Sequence, residues 1–374
     1  MTDSKMLQIK AAVVRAKGAP FVIETATLRR PERDEVLVRI VATGMCHTDM
    51  IIRDQYYPVP LPVVLGHEGA GVIEAIGPLV RGLAIGDHVV LTYGSCGHCR
   101  PCSGGLSSYC EDFYNLNFSG ADPHGQSAID DALGHPLHDH FFSQSSFATY
   151  ALSRENNAIK VPKEAPLELL GPLGCGIQTG AGAVINSLKV RPGSSFVAFG
   201  SGAVGLSAVL GARVAGATTI IAVDVVPSRL SLAIELGATH VVNSKEEDAV
   251  LAVREITGGG VDFALESTGI TSVLRQSVDA LGGLGCVGVV GASHLGTLAS
   301  FDVNDLLIHG KSIRGICEGD SVPQKFIPDL VNLYLQGRFP FDKMVKFYEF
   351  EQINEAAADS ERGDTLKPIL RIGS

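Results

Sequence analysis

Cys46-His47-Thr48-Asp49 places a soft metal ligand, an imidazole, a hydroxyl and a carboxylate in four consecutive residues. Gly66-His67-Glu68 and Leu173-Gly174-Cys175-Gly176 offer the same kinds of groups downstream. Cys46, His67 and Cys175 together make a Cys2His set. Three protein ligands with one position left open suit a catalytic zinc rather than a structural one. A second set is compact: Cys96, Cys99, Cys102 and Cys110 follow the spacing C-x2-C-x2-C-x7-C. Four thiolates so spaced can close a tetrahedron around a structural zinc. An iron–sulfur cluster competes, but bacterial ferredoxin spacing puts the fourth Cys after three residues and before Pro. Here it follows seven residues and precedes Glu111. His98 lies in this lobe and reads as a surface residue.

A third constellation is Gly200-Ser-Gly202-Ala-Val-Gly205, a G-x-G-x-x-G pattern. Its context gives it weight. It follows the β-rich run SSFVAFG, opens an Ala/Leu-rich stretch, and leads to TTIIAVD, which ends in Asp224. Such glycines let backbone approach a pyrophosphate at a helix N-terminus. Asp224 is placed to accept both adenosine ribose hydroxyls and to repel a 2′-phosphate, so NAD is expected over NADP. Val225 and Val226 follow rather than a basic residue. Arg229 either lies over the adenine or ribose or is an ordinary charge at a helix start.

The elements that must carry these groups fall into two textures. Before about residue 177 the chain alternates short strands with turns. EVLVRIVATG (35–44) reads as a strand with Val36, Val38 and Ile40 on one face and Glu35, Leu37 and Arg39 on the other. GAGVIEAIG (69–77), GDHVVL (86–91) and SSFATYALS (145–153) read as further strands, and PVPLP (58–62) cannot be regular helix. Residues 111–145 read as a solvated loop carrying His124, His135, His138 and His140. From about 178 to 317 strand and helix alternate, the pattern of a doubly wound parallel sheet. The rest, 318–374, has a helix from Pro323 to Gln336 and short strands expected to rejoin the first domain. The expected fold class is α/β: residues 1–177 and 318–374 form a mainly-β domain with both metal sets, and 178–317 form a dinucleotide-binding domain.

Size and composition agree. The 374 residues, 45% hydrophobic, suffice for two cored domains. A formal net charge of −10 argues against nucleic acid and anionic membrane as partners. The N-terminal MTDSKMLQIK has no apolar signal core. The uncharged runs Ser194 to Ala212 and Leu281 to Phe301 are long enough to suggest membrane spans, but both are broken by glycines. A cytoplasmic protein is expected, its eight Cys serving as thiols or ligands rather than disulfides.

With these constellations assembled, the chain resembles the zinc-dependent medium-chain alcohol dehydrogenases over its whole length. GHEGAGVIEAIGPLV (66–80) matches that family's zinc signature. VATGMCHTD (41–49), RDQYYPVPLPVVLGHEG (53–69), FFSQSSFATYALSRENN (141–157) and ELLGPLGCGIQTGAGA (168–183) are similar to the aryl-alcohol (benzyl alcohol) subgroup. The resemblance implies a GroES-like catalytic domain split by an inserted Rossmann domain, with NAD and two zinc ions per chain, one catalytic and one structural. It implies oxidation of a primary aromatic alcohol to the aldehyde, and a homodimer or homotetramer. By position, Cys46, His67 and Cys175 match the catalytic zinc ligands, Glu68 a carboxylate behind that zinc, and Asp49 the partner of the ligand histidine. Thr48 matches the hydroxyl that takes the substrate proton; its alternative is a helix cap near Asp49. Thr179, Val204 and Val290 look like residues that cradle the nicotinamide. Lys367 falls where a basic residue meets the cofactor phosphates, and His47 serves the same end. Cys286 and Cys317 match no ligand position. Ile51 stands where liver-type members have the outer histidine of a proton relay, so the proton is expected to leave through the nicotinamide ribose to water or to His47. Tyr56, Tyr57, Tyr93, Leu116, Phe141 and Phe142 are candidates for an apolar substrate slot. Rival readings are a glutathione-dependent formaldehyde dehydrogenase, for which Arg53 and Arg81 are the cations at hand, a general alcohol dehydrogenase, and a zinc-binding member without catalysis.

Overall fold

The computed structural model describes residues 6–373. The chain forms two compact units. One comprises Met1–Cys175, Val322–Leu335 and Asp342–Ser374, the other Gly176–Ser321 and Gln336–Phe341. Sequence texture placed the breaks at 177/178 and 317/318. The short segment Gln336–Phe341 groups with the second unit, which a single return point does not provide for.

The first unit is organised by the strand Glu35–Gly44. It pairs antiparallel with Glu68–Ile76, Tyr150–Arg154 and Lys367–Arg371 within a seven-stranded sheet. Val36, Val38 and Ile40 face one apolar core, as period two requires. Leu37, expected on the polar face, is also buried. It packs in a second core with residues of the strands Met6–Val14 and Val22–Arg29, so this strand is covered on both sides. The pairings set the site. Gly44 lies opposite Glu68 in one neighbour and opposite Ile369 in the other, so Glu68 and Lys367 start their strands close to the end of Glu35–Gly44, just before Cys46.

Two local expectations need correction. Residues 111–145 are not all loop: Phe113–Phe118 is a helix, and Ile129–Asp131 and Pro136–Leu137 extend a five-stranded sheet. The helix forms because its aromatic residues pack on Tyr93 and Phe141, a tertiary contact without local signal. The strand expected over 145–153 is Tyr150–Arg154; at its expected start, Ser145 has φ of 53°, outside extended backbone.

The second unit holds a six-stranded parallel sheet of Ser195–Phe199, Thr219–Asp224, His240–Asn243, Val261–Glu266, Leu281–Val289 and Ser312–Gly315. Across the sheet these run third, second, first, fourth, fifth, sixth in chain order. The order reverses direction beside the first strand, where ligands of open α/β sheets bind. The helix Ala203–Ala215 follows the first strand directly. The two uncharged runs resolve into strands, a helix and loop. No helix among the described residues is long and apolar enough to cross a membrane.

Candidate active site

Cys46 follows the Glu35–Gly44 strand and caps the helix His47–Arg53. Asp49 sits in its first turn, where one carboxylate oxygen accepts the Cys46 backbone N–H at 2.9 Å. The other accepts the Gly66 N–H at 3.1 Å and lies 3.0 Å from His67 Nδ1. An ionised carboxylate only accepts, so Nδ1 carries the proton and Nε2 presents its lone pair. That Nε2 is buried and has no hydrogen-bond partner. The donor atoms of Cys46, His67, Glu68 and Cys175 all lie within 4.8 Å of one another. An orphaned imidazole lone pair facing two sulfurs and a carboxylate is what a divalent zinc would satisfy. The Cys46 thiol is held well below its ordinary value, first by the hydrogen bond with Cys175, against burial, and with help from the Lys367 cation. Thiolate is the metal-binding form. The hydroxyl of Thr48 lies 3.7 Å from Cys46 Sγ, inside the first helical turn rather than at its cap. His47, next to it, is exposed, and Ile51 is buried on the same helix.

Lys367 is elsewhere than expected. The residue is 2% exposed, and Nζ donates to Glu68 Oε1 at 2.8 Å and Oε2 at 3.0 Å. Burial works against its charge, but the Glu68 carboxylate overrides this and holds the ammonium above its usual range. Its third N–H reaches the Met45 carbonyl at 3.3 Å, so all three donors are engaged within the protein and none is left for a cofactor phosphate. Its position follows from the pairing of the last strand with Glu35–Gly44, which brings it beneath the metal donors.

The second cysteine group also converges. Cys96 and Cys102 sulfurs are 4.0 Å apart, and those of Cys99 and Cys110 3.9 Å. Backbone N–H groups of Cys99 and Cys96 donate to the sulfurs of Cys96 and Cys110, each at 3.3 Å. Backbone N–H groups of Glu111 and Cys102 pull the Cys99 thiol down to about 6, while burial pushes Cys102 up to about 12. Four thiolates this close repel one another unless a cation sits among them, which fits the closed shell of a zinc site. His98, His124, His135, His138 and His140 belong to neither group.

In the second unit, Gly200 takes φ of 93°, and a Cβ on Gly205 would meet the Gly200 carbonyl at 1.8 Å. Only glycine permits the turn and the close approach of helix to strand. A Cβ on Gly202 would meet nothing within 4 Å, leaving room at the helix N-terminus for a phosphate. Gly200, Gly202, Asp224 and Arg229 line a cavity of ≈ 330 Å³, joined by Ser244 and Gln276. Asp224 accepts N–H bonds from Ser201, Val225 and Val226 at 2.6, 2.7 and 2.9 Å. Arg229 Nε and Ser201 Oγ are buried without partners, so both have capacity for a ligand. Thr179, Val204 and Val290 lie outside the lining of this cavity. Thr179 Oγ1 is 3.5 Å from the Glu318 carboxylate, and Val290 N–H bonds the Glu266 carbonyl at 3.0 Å. Sequence reasoning missed Ser201, although its place between two motif glycines was a usable signal. It also missed Ser244 and Gln276, which had none.

Of the residues named for an apolar slot, Tyr56 is exposed, Phe141 is fully buried in the core, and Phe142 stacks on the His67 ring with centroids 4.5 Å apart. The two arginines named for glutathione are engaged: Arg53 pairs with Asp54 and Glu361, and Arg81 donates to the carbonyls of Pro78 and Val80.

Comparison with known proteins agrees with this geometry. Residues 32–163 match the family described as alcohol dehydrogenase GroES-like domain, and 203–335 match zinc-binding dehydrogenase. The chain is 46% identical over 372 residues to the geraniol dehydrogenase of Castellaniella defragrans, covering 99% of this chain and 100% of that one. The crystal structure of benzyl alcohol dehydrogenase from Acinetobacter calcoaceticus superposes with a TM-score of 0.96 at 63% identity, over 98% of this chain and 100% of that one. An alcohol dehydrogenase zinc-binding domain protein from Burkholderia ambifaria gives 0.98 at 73% identity, over 99% and 100%. With both domains matched and relatives aligned end to end, this chain belongs to the zinc-binding alcohol dehydrogenases, oxidoreductases that act on alcohols.

Proposed function

We propose that the chain oxidises primary aromatic alcohols of the benzyl type to aldehydes, with NAD+ as acceptor and two zinc ions per chain. The observation that carries the reading is the orphaned Nε2 of His67, buried beside Cys46 and Cys175 and oriented through Asp49. When bound, zinc supplies Lewis acidity of the kind that lowers the pKa of water from about 15.7 to about 7, and the nicotinamide accepts hydride. The protein's own groups do the rest. Thr48 is the hydroxyl that would take the alcohol proton, and the proton would leave past the cofactor ribose to water, or to His47. Asp49 keeps the His67 tautomer and ring direction. Asp224 would accept the adenosine ribose hydroxyls, and the Gly200–Gly205 turn would receive the pyrophosphate at the N-terminus of Ala203–Ala215.

Two relatives favour a substrate whose carbinol carbon is attached to an sp2 carbon: one is named for benzyl alcohol and one for geraniol, an allylic alcohol. An aromatic cluster beside His67, comprising Phe142, Phe118 and Tyr114, suits a flat unsaturated group. Geraniol-type allylic alcohols are therefore the second reading. The glutathione reading loses ground because Arg53 and Arg81 are already engaged. We also propose a homo-oligomer in the cytoplasm. The end strand of the parallel sheet, Ser312–Gly315, is exposed along its length, and Leu298, Leu307 and Ile308 nearby in sequence are more than two-thirds exposed. An open edge beside apolar residues favours a second copy.

The test is NADH formation by zinc-loaded protein with benzyl alcohol, geraniol, ethanol and S-hydroxymethylglutathione in parallel. Preference for benzyl alcohol supports the first reading, and preference for geraniol the second. Preference for the glutathione adduct, or no NADH from any of them at two zincs per chain, overturns both.

A further inference from the structure

His67 is gripped on more sides than Asp49 accounts for. The Phe142 ring lies nearly parallel to the imidazole at 4.5 Å and 28°, and Phe141 meets it edge-on at 5.2 Å. Gln144 Nε2 donates to the His67 carbonyl at 3.0 Å, while its Oε1 accepts the Gly69 N–H at 3.0 Å. Side-chain face and backbone of one residue are thus both held from the segment His140–Ser146.

That segment has an unusual backbone. His140, Phe142, Ser143 and Ser145 have φ of 55°, 51°, 55° and 53°. Phe142 pairs its φ with a ψ of 37°, the left-handed helical region that a bulky side chain avoids. Strain of this kind persists only where surrounding contacts over-determine it. Here Ser145 Oγ donates to the Val64 carbonyl at 2.7 Å, and Ser143 Oγ to the Leu116 carbonyl at 2.8 Å. Ser146 and Phe147 N–H groups bond the Gly66 and Leu65 carbonyls, each at 2.9 Å. All of these contacts lie in the first unit, and the strained backbone they hold sets one ring and one amide against His67.

We propose that His140–Ser146 is a positioning brace for His67, in which Phe142 sets the tilt of the imidazole and Gln144 the seat of its backbone, so that the brace governs how firmly the catalytic metal is kept. The inference rests on His67 being a zinc ligand. A ring held by one hydrogen bond at Nδ1 still rocks about its Cβ–Cγ bond, and rocking swings Nε2 off line. A second ring stacked on its face opposes that motion. Phe142 and Gln144 act through His67 and touch no reacting atom.

The test uses the intact two-zinc protein and a chelator that reports each ion released. The Cys96/Cys99/Cys102/Cys110 ion is an internal reference in the same chain. Phe142→Ala is expected to release one zinc roughly 10- to 100-fold faster, the range for a residue supporting a metal ligand, with the second ion unchanged. Phe142→Tyr should retain the wild-type rate and Phe142→Leu should not, because Leu keeps bulk without a stacking ring. Gln144→Ala gives an independent variant if Phe142→Ala does not fold. Cobalt in the released position should show altered ligand-field bands in Phe142→Ala. Wild-type release in Phe142→Leu and Gln144→Ala would overturn the proposal, as would equal acceleration of both ions, which marks general loosening. A His67→Ala protein that still holds two zincs would sink the reading of His67 as a ligand, and the brace with it. One that holds a single zinc, beside wild-type release in the Phe142 variants, would sink the brace alone.

Discussion

Lys367 Nζ and the Glu68 carboxylate form a two-pronged ion pair at 2.8 and 3.0 Å, with both side chains nearly inaccessible. They are 299 positions apart in sequence and meet because their strands flank Glu35–Gly44. Removing one partner leaves an uncompensated buried charge, at a cost of about 3–5 kcal/mol. Lys367→Met is therefore expected to destabilise the protein by that amount in urea unfolding, and Lys367→Met with Glu68→Gln by clearly less. A single variant within about 0.5 kcal/mol of wild type would show that the pair is not what holds these strands.

His47 is exposed one residue before Thr48. With Ile51 in place of the relay histidine, it is the proposed proton acceptor or phosphate contact. His47→Gln is expected to alter the pH profile of kcat or to raise the KM for NAD+. If both stay at wild-type values, His47 has no part in the mechanism.

Asp224 is fixed by three backbone N–H donors, so in the proposed NAD complex it would meet the ribose without rearrangement. Hydrogen bonds to a charged group contribute about 1.5–3 kcal/mol each. Asp224→Ser with Val225→Arg should weaken NAD+ roughly 10- to 100-fold and improve NADP+, read as the ratio of kcat/KM values. An unchanged ratio would place cofactor choice elsewhere.

Glu266 ends the fourth strand of the parallel sheet, where one carboxylate oxygen accepts the Thr268 and Gly269 N–H groups. Burial nevertheless raises its pKa above the ordinary carboxylate value of 4.5. A raised folded pKa means that the stability it contributes is full below 4.5 and is lost as pH rises through the folded value. Glu266→Gln should remove this loss. Its Tm relative to wild type is expected to climb between pH 4 and pH 7, and a constant difference would refute the assignment.

The four-cysteine lobe gives a metal-removal test. Cys102→Ser should cost one zinc and lower the Tm while leaving the second zinc in place, because the two donor groups share no residue. Loss of both ions would mean that the groups are coupled.

Much of this is legible in the amino-acid sequence. The four-cysteine lobe, the glycine turn with Asp224, and Cys46 with Asp49 are short-range patterns, because their chemistry demands fixed residue types a few positions apart. Strand Glu35–Gly44 and the helix Ala203–Ala215 were equally legible, since hydrophobic period and glycine placement are local. What tertiary structure alone decided is which distant groups meet. The partner of Lys367 depends on which strands flank Glu35–Gly44, and a cation's type does not name its carboxylate. Phe142, Ser143 and Ser145 have positive φ where contacts with His67, Leu116 and Val64, respectively, hold them. The sequence suggests only loop up to residue 145 and strand over SSFATYALS (145–153), so nothing local marks this backbone. Composition and spacing determined the chemistry on offer, and packing of remote segments decided where each group was put to use.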